Sequence, residues 1–409
     1  MLPEHLKFRV LGPKRIHLGV TGSIAAYKAL DLLRDLLSLD LTVSVTLTAA
    51  AAKFVTPLSF TALGASQVYD SLWAPGEQGT FGHLEPTQAA ACLVVAPATA
   101  NIMAKLAHGL ADEMLSTQAL GFTGPIVLAP AMNPRLYSAA PTRENEATLR
   151  RRGVVVVDPD EGPVACGDTG KGRLAELWAI TSEALRAVAP KDMAGRRVLV
   201  NLGPTQEYFD PARYWSNPST GLMGQAMAMA AWLRGAEVTV VHGPVSVCLP
   251  ASIKCQSVTT AREMSDCCQD LWPSQDMGFM AAAVADFSPK PYGPDKFKKT
   301  SMSTPELSLK FTANPDILKA MGQAKRPGQT LLGFCAETGH LLEEAKAKLT
   351  RKNCDLMVAN SISALGSGFA SPTNAVVVCD NRGRVEEWPL LPKCEVAWRL
   401  CEWICHLLA

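Results

Sequence analysis

Residues 16–28 read Ile16-His17-Leu18-Gly19-Val20-Thr21-Gly22-Ser23-Ile24-Ala25-Ala26-Tyr27-Lys28. A short apolar run ends in glycines and hydroxyls, and small residues then open a helix. In an α/β fold this is how a strand hands over to a helix whose free N–H groups face an anion. Ser23 also suits the helix N-cap, since its hydroxyl can accept from a backbone N–H of the first turn. A plain strand-to-helix turn has the same composition. The spacing is neither G-x-G-x-x-G nor a Walker loop, so neither a classical dinucleotide site nor a P-loop is indicated.

The alternation continues outward from this turn. Strand-like runs at 16–20, 41–47, 91–97, 125–130 and 153–158 are separated by helix-like segments such as 23–38 and 101–120. Short apolar runs alternating with longer amphipathic ones argue for βαβ units and a parallel sheet buried on both faces. The pattern restarts with strand-like runs at 196–202, 236–241, 278–285, 330–334, 354–359 and 375–378. Between the two series, after a helix-like 175–188, lies Ala189-Pro190-Lys191-Asp192-Met193-Ala194-Gly195, polar and broken by Pro and Gly. The expectation is an α/β protein of two tandem three-layer αβα domains with mainly parallel sheets, at 14–189 and 195–409.

Bulk properties narrow the function. With 39 Lys plus Arg against 38 Asp plus Glu, the formal net charge is +1, so bulk electrostatics indicate no nucleic-acid or membrane partner. An anionic ligand needs a local cluster. The 12 Cys are scattered without zinc spacing, which reads as reduced thiols in a cytoplasmic protein. The first fifteen residues carry no apolar core of signal-peptide length, and no apolar stretch has the length of a membrane span.

Four further stretches of the first half carry chemistry-bearing residues. Pro97-Ala98-Thr99-Ala100-Asn101 follows an apolar strand and suits a flat ligand at the sheet edge. His83 lies in Gly82-His83-Leu84-Glu85, and a loop His taken singly is more often structural or solvated than catalytic. Asn133 follows a strand in Pro130-Ala131-Met132-Asn133. Cys166 sits on a glycine-rich loop, Ala165-Cys166-Gly167-Asp168-Thr169-Gly170, from which it can reach a ligand.

In order along roughly 16–175, these motifs and the Thr48…Ala51…Phe54-Val55 pattern resemble phosphopantothenoylcysteine decarboxylase, of the homo-oligomeric flavin-containing cysteine decarboxylases. The family's Pro-x-Met-Asn-x-x-Met-Trp ends here in Leu136-Tyr137. The resemblance implies a flavodoxin-like flavoprotein domain with FMN touched by Gly22, Ser23, Ile24, Thr48, Pro97, Thr99 and Asn101. It implies His83 as active-site base or electrostatic partner, Asn133 as holder of the substrate carboxylate, and Cys166 as proton donor in the reductive half. Flavin chemistry fits the problem: the carbanion left by decarboxylating a cysteine unit has no sink until hydride transfer makes a thioaldehyde.

In the second half, hydroxyls, Asn and Gly in Ser216-Asn217-Pro218-Ser219-Thr220-Gly221-Leu222-Met223-Gly224 precede a small-residue helix, which suits an anion or a long capped loop. Asp295-Lys296-Phe297-Lys298-Lys299 is a compact basic cluster, and Lys348 and Lys352 share a helix face, although Glu343 and Glu344 nearby also fit a solvated face. Asp286 ends an apolar strand, where it can bind Mg2+ beside phosphates or cap a turn.

With Gly203-Pro204-Thr205, Asp210-Pro211-Ala212-Arg213, Asn314-Pro315-Asp316-Ile317, Gly333-Phe334-Cys335-Ala336-Glu337-Thr338 and Asp355–Asn360, these stretches resemble phosphopantothenate–cysteine ligase over roughly 196–375. The resemblance implies a Rossmann-like domain that activates the pantothenate carboxylate with CTP. Asn217 would bind the acyl intermediate, and Lys296 would neutralise charge. Met280, Ala281, Ala282, Asp286, Lys296, Asn314, Pro315, Asp316, Ile317, Phe334, Lys348 and Lys352 would form the nucleotide site. The usual Ser-Asn-x-Ser-Ser-Gly-Lys-Met-Gly has its lysine replaced by Leu222.

The expected reading is therefore a bifunctional enzyme taking 4′-phosphopantothenate, L-cysteine and CTP, with FMN and Mg2+. A homo-oligomer is expected, trimers through the first domain joined by dimers through the second. A non-catalytic FMN-binding regulator of the same fold would have lost the Asn or the Cys, and both stand here. A related flavin prenyltransferase would need neither the Cys166 loop nor a second domain. Cys166→Ser is expected to oxidise substrate yet stall at the enethiol, as mass spectrometry of the products would record; a normal yield of the reduced thiol would contradict the role given to Cys166.

Overall fold

The computed structural model describes residues 2–72, 82–163, 167–298, 307–361, 366, 368 and 370–408. The chain forms two compact units, Met1–Pro3 with Lys7–Ala189, and Glu4–Leu6 with Pro190–Ala409.

The first unit is built on β1 (Arg15–Val20), β2 (Thr42–Leu47), β3 (Gln67–Tyr69), β4 (Cys92–Ala98), β5 (Ile126–Pro130) and β6 (Val155–Val156). They form one parallel sheet in the order β3-β2-β1-β4-β5-β6. Every residue of β4 is buried, which is why that strand reads as a continuous apolar run. The helices are α1 (Lys28–Leu37), α2 (Pro57–Ala62), α3 (Glu85–Ala89), α4 (Ala100–His108), α5 (Met114–Gly121), α6 (Pro134–Ser138), α7 (Ala140–Arg151) and α8 (Leu177–Val188). A small antiparallel pair, β7 (Asp160–Pro163) and β8 (Thr169–Arg173), stands apart from the sheet.

Two local readings change. The segment 101–120 is two helices, because Gly109 takes φ 70° and ends α4, while Glu113 and Ser116 form a capping box that starts α5. The run 153–158 pairs over Val155–Val156 only.

The second unit carries β9 (Arg197–Leu202), the β10 (Gln206–Asp210) and β11 (Arg213–Ser216) hairpin, β12 (Glu237–His242), β13 (Lys254–Ser257), β14 (Met277–Met280), the β15 (Phe287–Pro289) and β16 (Phe311–Ala313) pair, β17 (Thr330–Glu337), β18 (Leu356–Ser361), β19 (Thr373–Asp380) and β20 (Val385–Pro392). Its main sheet runs β13-β12-β9-β14-β17-β18-β19-β20. Pairing is parallel as far as β18 and antiparallel over the last two strands. The helices are α9 (Leu222–Leu233), α10 (Ala261–Leu271), α11 (Ile317–Gln323), α12 (Leu341–Arg351) and α13 (Lys393–Leu408). α9 is buried from Gly224 to Leu233, so its apolar residues surround it instead of forming a stripe.

Trp272 anchors the core between α10 and α11: it is 1% exposed and donates from Nε1 to the Met321 carbonyl at 3.1 Å. Beside it, α11 and the end of α12 nearly touch. A Cβ at Gly322 would lie 1.8 Å from the Lys352 carbonyl oxygen, a backbone atom that cannot step aside. Gly322→Ala therefore forces these segments apart and is expected to destabilise the second unit by about 1–3 kcal/mol, as overpacking does. Differential scanning calorimetry would record a lower melting temperature; an unchanged one would contradict the close approach.

Candidate functional site

Each sheet offers the carboxyl ends of its strands as a place for chemistry. In the first unit the order reverses between β1 and β4, which opens a crevice at their ends. Thr21, just past β1, closes the floor. Its hydroxyl donates to the Pro97 carbonyl at 2.7 Å and accepts from the Thr99 N–H at 3.1 Å. Ser23 is extended and accepts from the Ala25 N–H at 3.3 Å. Thr99 caps α4, with Ile102 N–H at 3.5 Å from its hydroxyl. Thr48 joins from the end of β2, its N–H bonded to the Val20 carbonyl at 3.0 Å and its hydroxyl to the Ala51 N–H at 3.2 Å.

Gly22, Ser23, Thr48, Pro97 and Thr99 thus converge at one sheet edge. Ile24 and Asn101 are exposed in the first turns of their helices. A Cβ at Gly22 would meet the Cβ of Ala50 at 2.4 Å, so the backbone comes close here because the residue is glycine. Hydroxyls, helix-start N–H groups and an apolar Ile24, 63% exposed, form a donor set and a face that fit a flat, phosphorylated ring cofactor.

Asn133 caps α6, taking the Arg135 N–H at 2.8 Å on Oδ1. Its Nδ2 donates to Asp168 Oδ2 at 2.7 Å, and Arg135 Nη2 donates to the other carboxylate oxygen at 2.6 Å. The structure therefore fastens Asn133 to the glycine-rich segment that carries Cys166. Cys166 itself lies outside the described residues. His83 sits in the turn before α3, and the Gly82 carbonyl beside it accepts from Gln118 Nε2 of α5 at 3.1 Å. These bonds tie Asn133 to Asp168 and the His83 turn to α5.

The second unit holds a cavity of about 570 Å3. The residues expected to bind nucleotide line it, from Met280, Ala281, Ala282 and Asp286 through Asn314–Ile317 to Phe334, Lys348 and Lys352, with Lys296 the exception. Asn217 lines it too and donates from Nδ2 to the carbonyls of Ala283 and Val284, both at 3.2 Å. Asn314 Nδ2 donates to the Ala285 carbonyl at 2.7 Å. Asp316 caps α11 and pairs with Lys352, while Lys348 pairs with Glu337. Burial lowers the pKa of Lys352. Burial is also the largest influence on Lys348 and works the same way, but its bond to Glu337 together with the charges of Cys335, Glu337 and Glu344 outweighs it and the net shift is upward.

Lys296 is exposed and does not line this cavity. Its neighbour Phe297 fixes the segment, donating its N–H to Asp210 Oδ2 at 3.1 Å and packing against Phe209 and Tyr292. Lys299 lies outside the described residues. Leu222 begins α9 after Gly221 and lines the cavity. Asp286 is exposed, and no group of three or more metal-ligating side chains occurs among the described residues.

The cavity also contains residues that the sequence reading did not single out. Asn201, at the end of β9, accepts the Ala282 N–H on Oδ1 at 3.0 Å. Lys393 is 3% exposed and its Nζ is bonded to the carbonyls of Gly368 and Ser371; burial lowers its pKa to about 8. Buried Asn374 finds no hydrogen-bond partner for Oδ1 among the described residues. Asn201 stands at a strand end, a signal that could have found it. Nothing local marks Lys393 or Asn374.

Comparison with known proteins gives these sites a class. Residues 7–188 match the Flavoprotein family model, and residues 193–408 match the DNA/pantothenate metabolism flavoprotein C-terminal domain. A flavoprotein domain followed by such a domain is thus the class of the chain. The coenzyme A biosynthesis bifunctional protein CoaBC of Escherichia coli (strain K12) is 40% identical over 367 residues, covering 90% of each chain. That of Bacillus subtilis (strain 168) is 37% identical over 402 residues, 97% of this chain and 98% of the relative. A crystal structure of the C-terminal domain of a coenzyme A biosynthesis bifunctional protein CoaBC aligns with 53% of this chain and 98% of its own, at 33% identity and TM-score 0.45. The chain belongs to the family of bifunctional coenzyme A biosynthesis proteins.

The Asn133–Asp168 bond gives a direct test of the first site. Asn133→Asp sets a carboxylate against Asp168, which raises the pKa of the pair in the folded state. The penalty is absent when a proton is shared and grows as pH rises through the raised pKa. The variant's melting temperature is expected to match wild type near pH 4 and fall below it by pH 8; a constant difference across that range would contradict the contact.

Proposed function

We propose that the chain ligates L-cysteine to 4′-phosphopantothenate at the expense of CTP and decarboxylates the resulting 4′-phosphopantothenoylcysteine to 4′-phosphopantetheine with FMN. Residues 14–189 carry the decarboxylation and 195–409 the ligation. The observation that carries the reading is one cavity that gathers Asn217 and, apart from Lys296, the nucleotide residues from Met280 to Lys352, in a chain whose other unit presents a flavin-suited crevice. Curated relatives spanning at least nine-tenths of the chain are named as coenzyme A biosynthesis bifunctional proteins, which supports both activities.

In the ligase half, the 4′-phosphopantothenate carboxylate attacks the α-phosphorus of CTP and pyrophosphate leaves. The cysteine amine then attacks the acyl carbon, forming the amide and releasing CMP. Lys348 and Lys352 exchange their carboxylate partners for the triphosphate, gaining a charge-assisted contact in place of each ion pair they give up. Asn217 holds the acyl intermediate, and Lys296 neutralises charge from its exposed segment. Asp286 would hold Mg2+, which would offset the phosphate charge and needs few protein ligands.

In the decarboxylase half, Ser23, Thr48, Thr99 and the helix starts bearing Ile24 and Asn101 hold the FMN, with Gly22 and Pro97 against it. Bound there, FMN supplies the two-electron acceptor and donor for the cysteine unit. Asn133, oriented by Asp168, takes the substrate carboxylate. His83 acts as base or electrostatic partner, and Cys166 returns the proton.

The chain works in the cytoplasm as a homo-oligomer, with trimers through the first domain and dimers through the second. Described cysteines are free thiols, and no helix among the described residues is long and apolar enough to cross a membrane.

Pyrophosphate release from CTP, Mg2+ and 4′-phosphopantothenate tests the activation step. Release that depends on 4′-phosphopantothenate is expected; none with any nucleotide would contradict the reading. Lys352→Gln is expected to raise the KM for CTP by about tenfold, the order of one charge-assisted contact, while FMN content stays at the wild-type level. An unchanged KM would remove Lys352 from the nucleotide site.

A further inference from the structure

β1 and β2 alternate in an unusual way. Ile16, Leu18 and Val20, with Val43, Val45 and Leu47, give one face an apolar surface. On the other face Arg15 and His17 lie beside Thr42, Ser44 and Thr46. His17, Ser44, Thr46 and Gln118 of α5 are each at most 1% exposed. Polar groups buried this deeply destabilise a fold unless all are bonded, and an apolar face would serve the sheet as well.

The bonds follow one direction. Glu85 receives Arg15 Nη2 at 2.9 Å, a second bond from Nη1 and the Tyr69 hydroxyl. Arg15 Nε donates to Ser44 Oγ at 3.2 Å, which leaves the Ser44 hydrogen for His17 Nδ1 at 2.8 Å. That pattern assigns the imidazole proton to Nε2, directed at Thr46 Oγ1 at 2.8 Å and Gln118 Oε1 at 3.2 Å. Thr46 donates to the same Gln118 oxygen at 2.7 Å. With its oxygen engaged twice, Gln118 presents Nε2 to the Gly82 carbonyl at 3.1 Å. Gly82 and Glu85 are the residues that bracket His83-Leu84.

We propose that Arg15, Ser44, His17, Thr46 and Gln118 form a positioning ring for His83, fixing the peptide before it and the carboxylate after it so that its imidazole meets the substrate in one orientation. The proposal rests on the reading of His83 as a decarboxylase site residue. Burial holds the His17 pKa at about 4, so its ring stays neutral and the bond directions persist at neutral pH. Gln118 is the decisive member, because it joins the buried face to the carbonyl of the Gly82–His83 peptide.

The test uses the full-length, FMN-loaded enzyme with 4′-phosphopantothenoylcysteine, and the ligase rate of the same sample as reference. Gln118→Met is expected to lower the decarboxylation kcat by about tenfold or more, since small misplacements of a reacting group are costly. KM, FMN absorbance and ligase rate should stay near wild type, while the melting temperature falls because the buried Thr46 hydroxyl loses its acceptor. If Gln118→Met does not fold, Thr46→Val removes one of the two donors that orient Gln118 and should lower kcat in the same selective way. His83→Gln is run beside them. Wild-type kcat in the ring variants with an impaired His83→Gln would overturn the ring and leave the reading of His83 intact. A kcat loss that only tracks lost FMN or a smaller folded fraction at the assay temperature would also overturn it. An unimpaired His83→Gln would remove the reading itself, and the proposal with it.

Discussion

In each unit a single polar side chain at the end of the leading central strand sets the site. Thr21 joins the end of β1 to the Pro97 carbonyl and the Thr99 N–H beyond β4. Asn201 does the same for β9 and β14, its own carbonyl accepting the Ala281 N–H at 3.2 Å and its Oδ1 the Ala282 N–H. Parallel strands pair regularly until their ends, where backbone groups lose their partners. Thr21 and Asn201 supply those partners and hold the loops open toward a ligand. The crevice and the cavity both depend on these ties.

Charge is handled locally in the second unit. The chain is almost neutral, yet Lys348, Lys352 and Lys393 line the same cavity. The first two are kept in place by Glu337 and Asp316, and the third by backbone carbonyls. Carboxylate partners keep the cations ordered without a ligand and can be exchanged for phosphate oxygens. Leu222 brings no charge to the start of α9, so cations from α12 and α13 carry the positive side of this cavity.

Much of this was legible in the sequence because it is local. The strand at 16–20 and its turn, the strand at 91–97 and the motif residues at both sheet edges follow from apolar runs that end in small polar residues. What escaped depends on distant partners. β3 is three residues at the sheet edge, with too little pattern to detect. The break at Gly109 lies inside a composition that reads as one helix. His17, between Ile16 and Leu18, looks like a lone polar residue in a strand, and its role emerges only when α5 brings Gln118 over it. Lys393 and Asn374 reach the cavity through the antiparallel end of the sheet, which no motif announces. Lys296 was readable as a basic cluster, but the aromatic packing of Phe297 decides where its segment lies.

Two chemistries in one chain set this protein apart from a lone flavoprotein or a lone ligase. The most direct measurement gives the purified protein 4′-phosphopantothenate, L-cysteine, CTP and Mg2+, and follows the products by mass spectrometry. The expected result is transient 4′-phosphopantothenoylcysteine followed by accumulation of 4′-phosphopantetheine, with CMP and pyrophosphate. No ligated product with CTP, or no decarboxylation of added 4′-phosphopantothenoylcysteine by FMN-supplemented protein, would contradict it.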